Sequence, residues 1–440
     1  MKSYSSSVYV NLEKCSGRMM CMRVCPTEAI RVRGGKAELI AERCIDCGEC
    51  IKICPNRAII PATDSFSDLS HFKYTVAIPS PVLYGQFGRD DTPELIQAAL
   101  MKLGFSEVAD VTGACEAVSL AIREHLEHYT GRKPLISSFC PTIVRLIQVK
   151  YPDLAELVVP FESPKEIVAR EAKAQRSKEL GLKQEEIGVI YLTPCPSKMI
   201  DIKFHPRKEK SFIDGAISIA EIYSSIVVLM AEMKNATPDT SMNNISGIGL
   251  EWTMLGGQTA SLQMENSLAV DGLKNVIRAF EDIENGRLRD IDYLECHSCP
   301  EGCIGGSLTV ENPYVSRSNL IRLKKRYGDE PKRSSEEIRK LYREKYFSTE
   351  RRLPVGAHQR LDENIAKAIE KMRKKDAIYR NLPQINCGCC GAPNCSAFAE
   401  DVVQGSAEVT DCIFIYQERV KATGQEMLRL LKKKPGYIKE

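Results

Sequence analysis

No apolar run in this chain approaches a membrane span. The longest, SIVVLMAEM at residues 225–233, falls far short of the roughly 20 residues a spanning helix needs. The opening stretch MKSYSSSVYVNLEK lacks the basic-then-apolar order of a secretory leader. Both absences point to the cytoplasm, with no membrane partner. A strong charge of either sign is also missing. The formal net charge is +3, too small for the electrostatic footprint of a nucleic-acid binder. What remains is an ordinary soluble composition, 43% hydrophobic and 27% charged, in a chain long enough for two or three domains.

Cysteine, by contrast, is abundant: 18 residues. With no leader and with C-x2-C spacings, these read as metal ligands rather than disulfides. Random pairing predicts about one Cys-Pro dipeptide in such a chain. There are five, at Cys25, Cys54, Cys140, Cys195 and Cys299. Proline has no N–H, so it ends backbone pairing next to a ligand and fixes the turn there.

Residues 44–55, CIDCGECIKICP, carry the complete C-x2-C-x2-C-x3-C-P run of a bacterial two-cluster ferredoxin. Residues 15–26, CSGRMMCMRVCP, carry the same run with one absence: Arg18 stands where a cysteine belongs. A guanidinium offers no lone pair to iron. The fourth cysteine of each run serves the other cluster. Cys25, Cys44, Cys47 and Cys50 therefore form a complete set, and Cys15, Cys21 and Cys54 an incomplete one. That incomplete site is expected to hold a [3Fe–4S] cluster, to recruit a non-protein ligand, or to stay empty. Met19 and Met20 are weak replacements that more often pack.

Residues 1–62 thus read as a ferredoxin-like domain, with 63–72 as a linker. From 73 to 330 the pattern is α/β, with strands at YTVAIPSP, PLISSF and IGVIYLTP and helices opening at Thr92 and Ser163. Cys140, Cys195, Cys299 and Cys303 all follow apolar runs, where open α/β sheets build their sites. They are the candidate ligands of a buried cluster. Residues 331–360 are charge-dense and read as a solvated helical connector. Residues 361–440 form a mainly helical domain in which Cys387, Cys390, Cys395 and Cys412 are spaced C-x2-C-x4-C-x16-C. That spacing suits a [4Fe–4S] cluster, with zinc as the alternative. Cys115, Cys296 and Cys389 are left over and read as buried or incidental.

Three motifs make the chain resemble the [FeFe] hydrogenases over nearly its whole length. SSFCP (137–141) is similar to that family's TSCCP, TPCPSK (193–198) to MPCTAK, and ECHSCPEGC (295–303) to ExMACxGGC. The resemblance implies an H-cluster: a [4Fe–4S] cube on Cys140, Cys195, Cys299 and Cys303, with Cys303 bridging to a diiron subsite carrying CO and cyanide. It implies that Lys198 hydrogen-bonds a cyanide and that Ser80, between Pro79 and Pro81, lines the pocket. It also implies dedicated maturation proteins as partners.

The departures are informative. The family's proton-relay cysteine is Phe139 here, and phenylalanine moves no proton. Ala121 and Ile122 lie near the positions of its relay glutamates. Thr193 and His297 stand where methionines are usual, and Glu301 replaces a glycine. The C-terminal cysteine spacing is similar to the extra domain of sensory-type members, and no room is visible for a PAS domain. The leading expectation is a hydrogen sensor that oxidises or evolves hydrogen slowly and passes its redox state to a signalling or electron-transfer partner. The alternatives are a metabolic, ferredoxin-linked hydrogenase or complex component, and a non-catalytic hydrogenase-like iron–sulfur protein.

Overall fold

The structure is a computed structural model that describes residues 6–233, 245–355 and 361–433. The first five residues, the end of the expected connector at 356–360 and the last residues of the basic tail lie outside these. The chain forms two compact units. One comprises Met1–Tyr9, Cys44–Lys52 and Ile60–Gly356; the other comprises Val10–Arg43, Ile53–Ile59 and Ala357–Glu440. The ferredoxin-like segment is therefore shared out between them.

The first unit is built on two parallel sheets. In the four-stranded sheet the order is Glu107–Val108, Tyr74–Pro79, Ile187–Thr193, Gly215–Ser218. Every residue of Ile187–Thr193 is buried, as a central strand covered by helices on both faces requires. The second sheet orders Ser267–Asp271, Tyr293–His297 and Leu135–Ile136. The strand expected across PLISSF is thus only two residues long. The Ser137 N–H still donates to Leu294 O at 3.0 Å, and its hydroxyl donates to Gln258 Oε1 at 2.8 Å. Helix Pro93–Leu103 opens as read, with Thr92 Oγ1 accepting from the Leu95 N–H.

Two expectations need correction. The linker at 63–72 contains a 3-10 helix, Phe66–His71, opened by a capping box between Ser65 and Asp68. The connector is not a solvated helix. Ser335–Arg343 is helical, but Ile338 and Phe347 are buried in the central core, with Leu341, Tyr342 and Tyr346 packed against it. Ile338, Leu341 and Tyr342 recur at i, i+3 and i+4, a stripe that charge-dense composition conceals.

The second unit contains the hairpin Ile30–Arg33 and Lys36–Leu39, turned at Gly34 and Gly35, both at positive φ (53° and 74°). With it pack helices Ile365–Asn381, Cys395–Val403 and Ile413–Leu431. Arg31 is buried on the hairpin and forms a two-pronged pair with Asp401, at 2.6 and 3.0 Å. Arg33 reaches the same carboxylate at 2.9 Å, and the Val32 N–H donates to Gly391 O at 2.9 Å. Helix Cys395–Val403 is thereby fastened to the hairpin.

Candidate active site and cluster sites

In the first unit, Cys140 and Cys195 occupy the same local position. Each is the N-cap of a helix, Pro141–Lys150 and Pro196–Lys203 respectively, with proline as the first helical residue. Proline costs nothing there, because that N–H has no helical partner to lose. A helix N-terminus also favours a thiolate. Cys299 follows the strand Tyr293–His297, and Cys303 opens a 3-10 turn, Cys303–Gly305. Glu301 sits at φ 63°, a left-handed conformation that explains why a glycine is usual at this position. Its N–H donates to Asp271 Oδ2 at 2.6 Å.

The four thiols are not equivalent. Burial pushes Cys195 up, and Cys299 to about 12. Burial acts on Cys303 in the same sense, but Lys198 and His297 overcome it and bring that thiol down to about 6. Lys198 Nζ lies 3.3 Å from Cys303 Sγ. Burial alone would strip its proton, yet Cys303, Tyr191 and the neighbouring thiols hold the ammonium well above its ordinary range. Burial likewise works against the His297 imidazolium, which Cys303 and Glu295 raise to about 10. Glu295 Oε1 stands 2.7 Å from His297 Nε2 and is itself held by the Gly256 and Thr259 N–H groups.

One enclosed cavity collects these groups. Ser80, Pro81, Phe139, Lys198, His297 and Cys303 all line it, as does the leftover Cys115. Phe139 packs on Trp252 with ring centroids 4.7 Å apart, so the relay position is filled by an apolar wall. Thr193 is buried but does not line the cavity; its hydroxyl donates to the Cys195 carbonyl at 2.8 Å and shapes that turn. Ser80 Oγ is buried without a partner at hydrogen-bonding distance. A cation-flanked thiolate and a buried hydroxyl facing one cavity fit an anionic cofactor with polar ligands. Sequence reasoning missed Glu295, Trp252, Lys165, Asp201 and His205. The signal was available in part: Lys198 and Asp201 are three apart on one short helix and so share a face.

The ferredoxin-type ligands divide. Cys44, Cys47 and Cys50 belong to the first unit. There Cys47 packs with Cys140 in one apolar cluster, and Lys52 feels both Cys299 and Cys47. Cys44 Sγ accepts from Ser6 Oγ at 3.3 Å. Cys25, the fourth member of the complete set, belongs to the second unit and accepts from the Ala29 N–H at 3.2 Å. Cys15, Cys21 and Cys54 line a single cavity in the second unit, with Arg18, Met19 and Met20 completing its wall. Burial, then Cys54 and Cys15, push the Cys21 thiol up. Cys387, Cys390, Cys395 and Cys412 line another small cavity there, closed by Leu382, Phe398 and Ile413. Cys115 and Cys296 are buried, whereas Cys389 is exposed. Among the described residues no three His, Cys, Asp or Glu side chains stand close enough to share one metal ion. In a cubane each thiolate holds its own iron.

Residues 73–267 match the family model described as iron only hydrogenase large subunit, C-terminal domain. That match, with two iron–sulfur models, supports placing the chain with the [FeFe] hydrogenases. Residues 7–55 match a 4Fe-4S dicluster model and 382–414 an Fe–S cluster model. The fold is accordingly a ferredoxin-like N-terminus, a mixed α/β H-cluster-type domain and a helical C-terminal region. The chain is similar to the NADP-reducing hydrogenase subunit HndD of Solidesulfovibrio fructosivorans, 21% identical over 69% of this chain and 65% of that one. It is 28% identical to iron hydrogenase 1 of Clostridium pasteurianum over 48% of this chain and 35% of that one. It is also 23% identical to the cytosolic Fe-S cluster assembly factor NAR1 of Saccharomyces cerevisiae, over 45% of this chain and 57% of that one. No described helix is long and apolar enough to cross a membrane.

Proposed function

We propose that the chain is a low-turnover hydrogenase of sensory type, which binds hydrogen at an H-cluster and passes its redox state through iron–sulfur clusters to a protein partner. The observation that carries this reading is Cys303, a thiol held below its ordinary range by Lys198 at 3.3 Å and by His297 over Glu295. A purely structural cubane has no use for such asymmetry. Cys140, Cys195, Cys299 and Cys303 would hold the cube, and Lys198 and Ser80 would donate to polar ligands of a diiron subsite. That subsite would supply heterolytic cleavage of hydrogen. The protein's own contribution is to hold the ammonium of Lys198 in place, to exclude water on the Phe139–Trp252 side and to keep the bridging thiolate charged.

Phe139 favours sensing over metabolic flux. A positioned acid–base group is typically worth about 10²–10⁴ in rate, and none stands at this position. Arg18 points the same way, since fast electron traffic needs an intact outer cluster. The similarity to an assembly factor keeps the non-catalytic reading alive, and retained Lys198 speaks against it. Infrared spectroscopy of protein matured with the hydrogenase maturases tests the proposal. CO and cyanide stretches, with slow dye-linked hydrogen turnover, are expected. Their absence from protein with a full complement of iron and sulfide would establish the non-catalytic alternative. Rapid turnover would establish the metabolic one.

A further inference from the structure

The cavity that meets Cys303 does not end there. It continues past Tyr191 and Ser163 to Lys165, Asp201, His205 and Arg207, and its far wall includes Thr349. Arg207 and Thr349 also line a large surface groove beside Arg132, Glu156 and Arg351. The cavity therefore has two ends, one at the candidate subsite and one at the surface, and the second lies away from Phe139.

Three buried polar atoms of residues lining this cavity make no hydrogen bond within 3.5 Å: Ser80 Oγ, whose polar neighbour is Tyr191, Ser163 Oγ and Arg207 Nη2. Burying an unpaired polar group is costly, and three on one cavity call for a shared partner. The whole cavity, its Cys303 end included, amounts to about 80 Å³, room for only a few waters outside that end at a minimum of roughly 10–15 Å³ each. The remaining polar groups are fixed by strong pairs. Lys165 Nζ bonds Asp201 Oδ2 at 2.7 Å and lies 3.7 Å from Glu166, and Lys208 bonds both Glu166 and Glu162. His205 Nε2 stands 4.0 Å from Asp201 Oδ1.

We propose that this arm of the cavity, from His205 and Arg207 at its mouth to Ser80 beside Cys303, holds a file of water that carries protons to the candidate active site in place of the thiol displaced by Phe139. The destination of the protons rests on the hydrogenase reading; the water file does not. Burial holds His205 below its ordinary range against the pull of Asp201, so the imidazole is neutral near pH 7; its Nδ1 accepts from the Arg207 N–H at 3.2 Å, and it takes up a proton when that bond opens. The charged groups facing it are Asp201, Lys165, Glu166 and Glu162. A proton from bulk solvent binds His205 and passes to the first water. Each water then accepts one proton and releases one, and Ser163 and Ser80 hold the file in line. Two protons so delivered combine with two electrons from the iron–sulfur clusters to give one hydrogen molecule. In oxidation the same hops run outward.

Two experiments decide this. A high-resolution crystal structure of the protein without diiron subsite should show ordered waters on Ser80 Oγ, Ser163 Oγ and Arg207 Nη2; a dry cavity overturns the file. In matured protein, His205→Phe and the milder Thr349→Leu should leave the CO and cyanide bands unchanged. They should lower hydrogen evolution by about 10²-fold and about 10-fold respectively, the scale of a lost acid–base group. His205→Ala should regain rate on addition of imidazole, a response that a merely structural histidine would not give. Normal infrared bands with unchanged rates in both blocking variants would overturn proton delivery by this arm. Missing bands in the wild type would overturn the hydrogenase reading, and proton delivery with it, while the crystal structure would still decide the water file.

Discussion

Two four-cysteine sites in this chain share a ligand type and little else. Around Cys140, Cys195, Cys299 and Cys303 the shell is charged and lopsided: an ammonium and an imidazolium converge on one sulfur, while burial keeps two of the others protonated in the metal-free protein. Around Cys387, Cys390, Cys395 and Cys412 the shell is apolar, with Leu382, Pro383, Ile385, Phe398 and Ile413 at the wall. Equivalent ligands in a uniform shell suit a cluster that only exchanges electrons. A single stabilised thiolate suits a cluster that must attach something. The difference lies in the neighbours, and the cysteine spacings alone do not reveal it.

The sharpest way to break this comparison is to remove one cysteine from each site. Cys303→Ala should abolish the CO and cyanide bands and all measurable hydrogen turnover. Cys395→Ala should remove one cluster by iron count and leave the infrared bands intact. Equal loss of the bands in both variants would show that the C-terminal site is needed to build the first, and the contrast would collapse.

The next test concerns what fastens the C-terminal site. Asp401 answers buried Arg31 with two bonds and Arg33 with a third. Asp401→Asn leaves the Arg31 charge buried without its counter-ion, a change worth about 3–5 kcal/mol. Denaturant unfolding followed by visible absorbance should show the second unit, with its clusters, losing stability by that amount. Arg31→Met combined with Asp401→Leu should recover much of it, since the charge and its partner leave together. The same pair predicts that truncation after residue 355 exposes the hairpin and destabilises the outer ferredoxin half. The tail is then a structural part of that half as well as a candidate reporter. An undiminished stability in Asp401→Asn would mean that solvent reaches Arg31.

Much of this organisation was legible in the sequence, for definite physical reasons. The spacings grouped Cys15, Cys21 and Cys54, and Cys387, Cys390, Cys395 and Cys412, and each group lines one cavity, because thiol spacing is set by local chain geometry. The strands Tyr74–Pro79 and Ile187–Thr193 were readable as apolar runs bounded by polar or proline punctuation. What escaped was long-range. Composition marked residues 331–360 as solvated, because one buried stripe is outvoted by the charges around it. Ser137, just past the strand Leu135–Ile136, bonds Gln258, 121 positions away. The fastening of Asp401 to Arg31 spans 370 positions. Lys198 was found through its motif, but Asp201 and His205 belong to no motif, and only the cavity brings them into line.

A smaller effect is expected at the wall opposite the polar arm. Phe139→Cys places a thiol where the chain has an aromatic ring packed at a tilt on Trp252. If proton supply limits turnover, hydrogen evolution should rise about 10-fold, less than the full worth of an acid–base group because no relay glutamates follow it. The lost packing and burial cost about 3 kcal/mol of stability, so infrared band intensity must be checked in parallel. An unchanged rate with intact bands would place the limit in electron transfer instead.

The smallest expected effect on turnover sharpens the comparison from the other side. Cys15, Cys21 and Cys54 already line one cavity, with Arg18 on its wall. The Ala37 and Ala58 N–H groups already point at Cys15 and Cys54, at 3.4 and 3.3 Å, as they do toward cluster-bound thiolates. Only the fourth ligand is wanting. Arg18→Cys should therefore install a complete [4Fe–4S] cluster, seen as a new reduced-state EPR signal and the loss of any [3Fe–4S] signal in oxidised protein. Arg18 is exposed and makes no ion pair among the described residues, so the substitution should cost less than about 0.5 kcal/mol. Hydrogen turnover should change less than in any other variant, because the outer cluster lies beyond the step that Phe139 slows. A large rise in rate would reverse that ordering and identify the missing ligand, not the missing thiol relay, as what holds this protein to slow chemistry. A wild-type protein that already carries three protein-ligated cubanes beside the H-cluster-type site would remove the premise altogether.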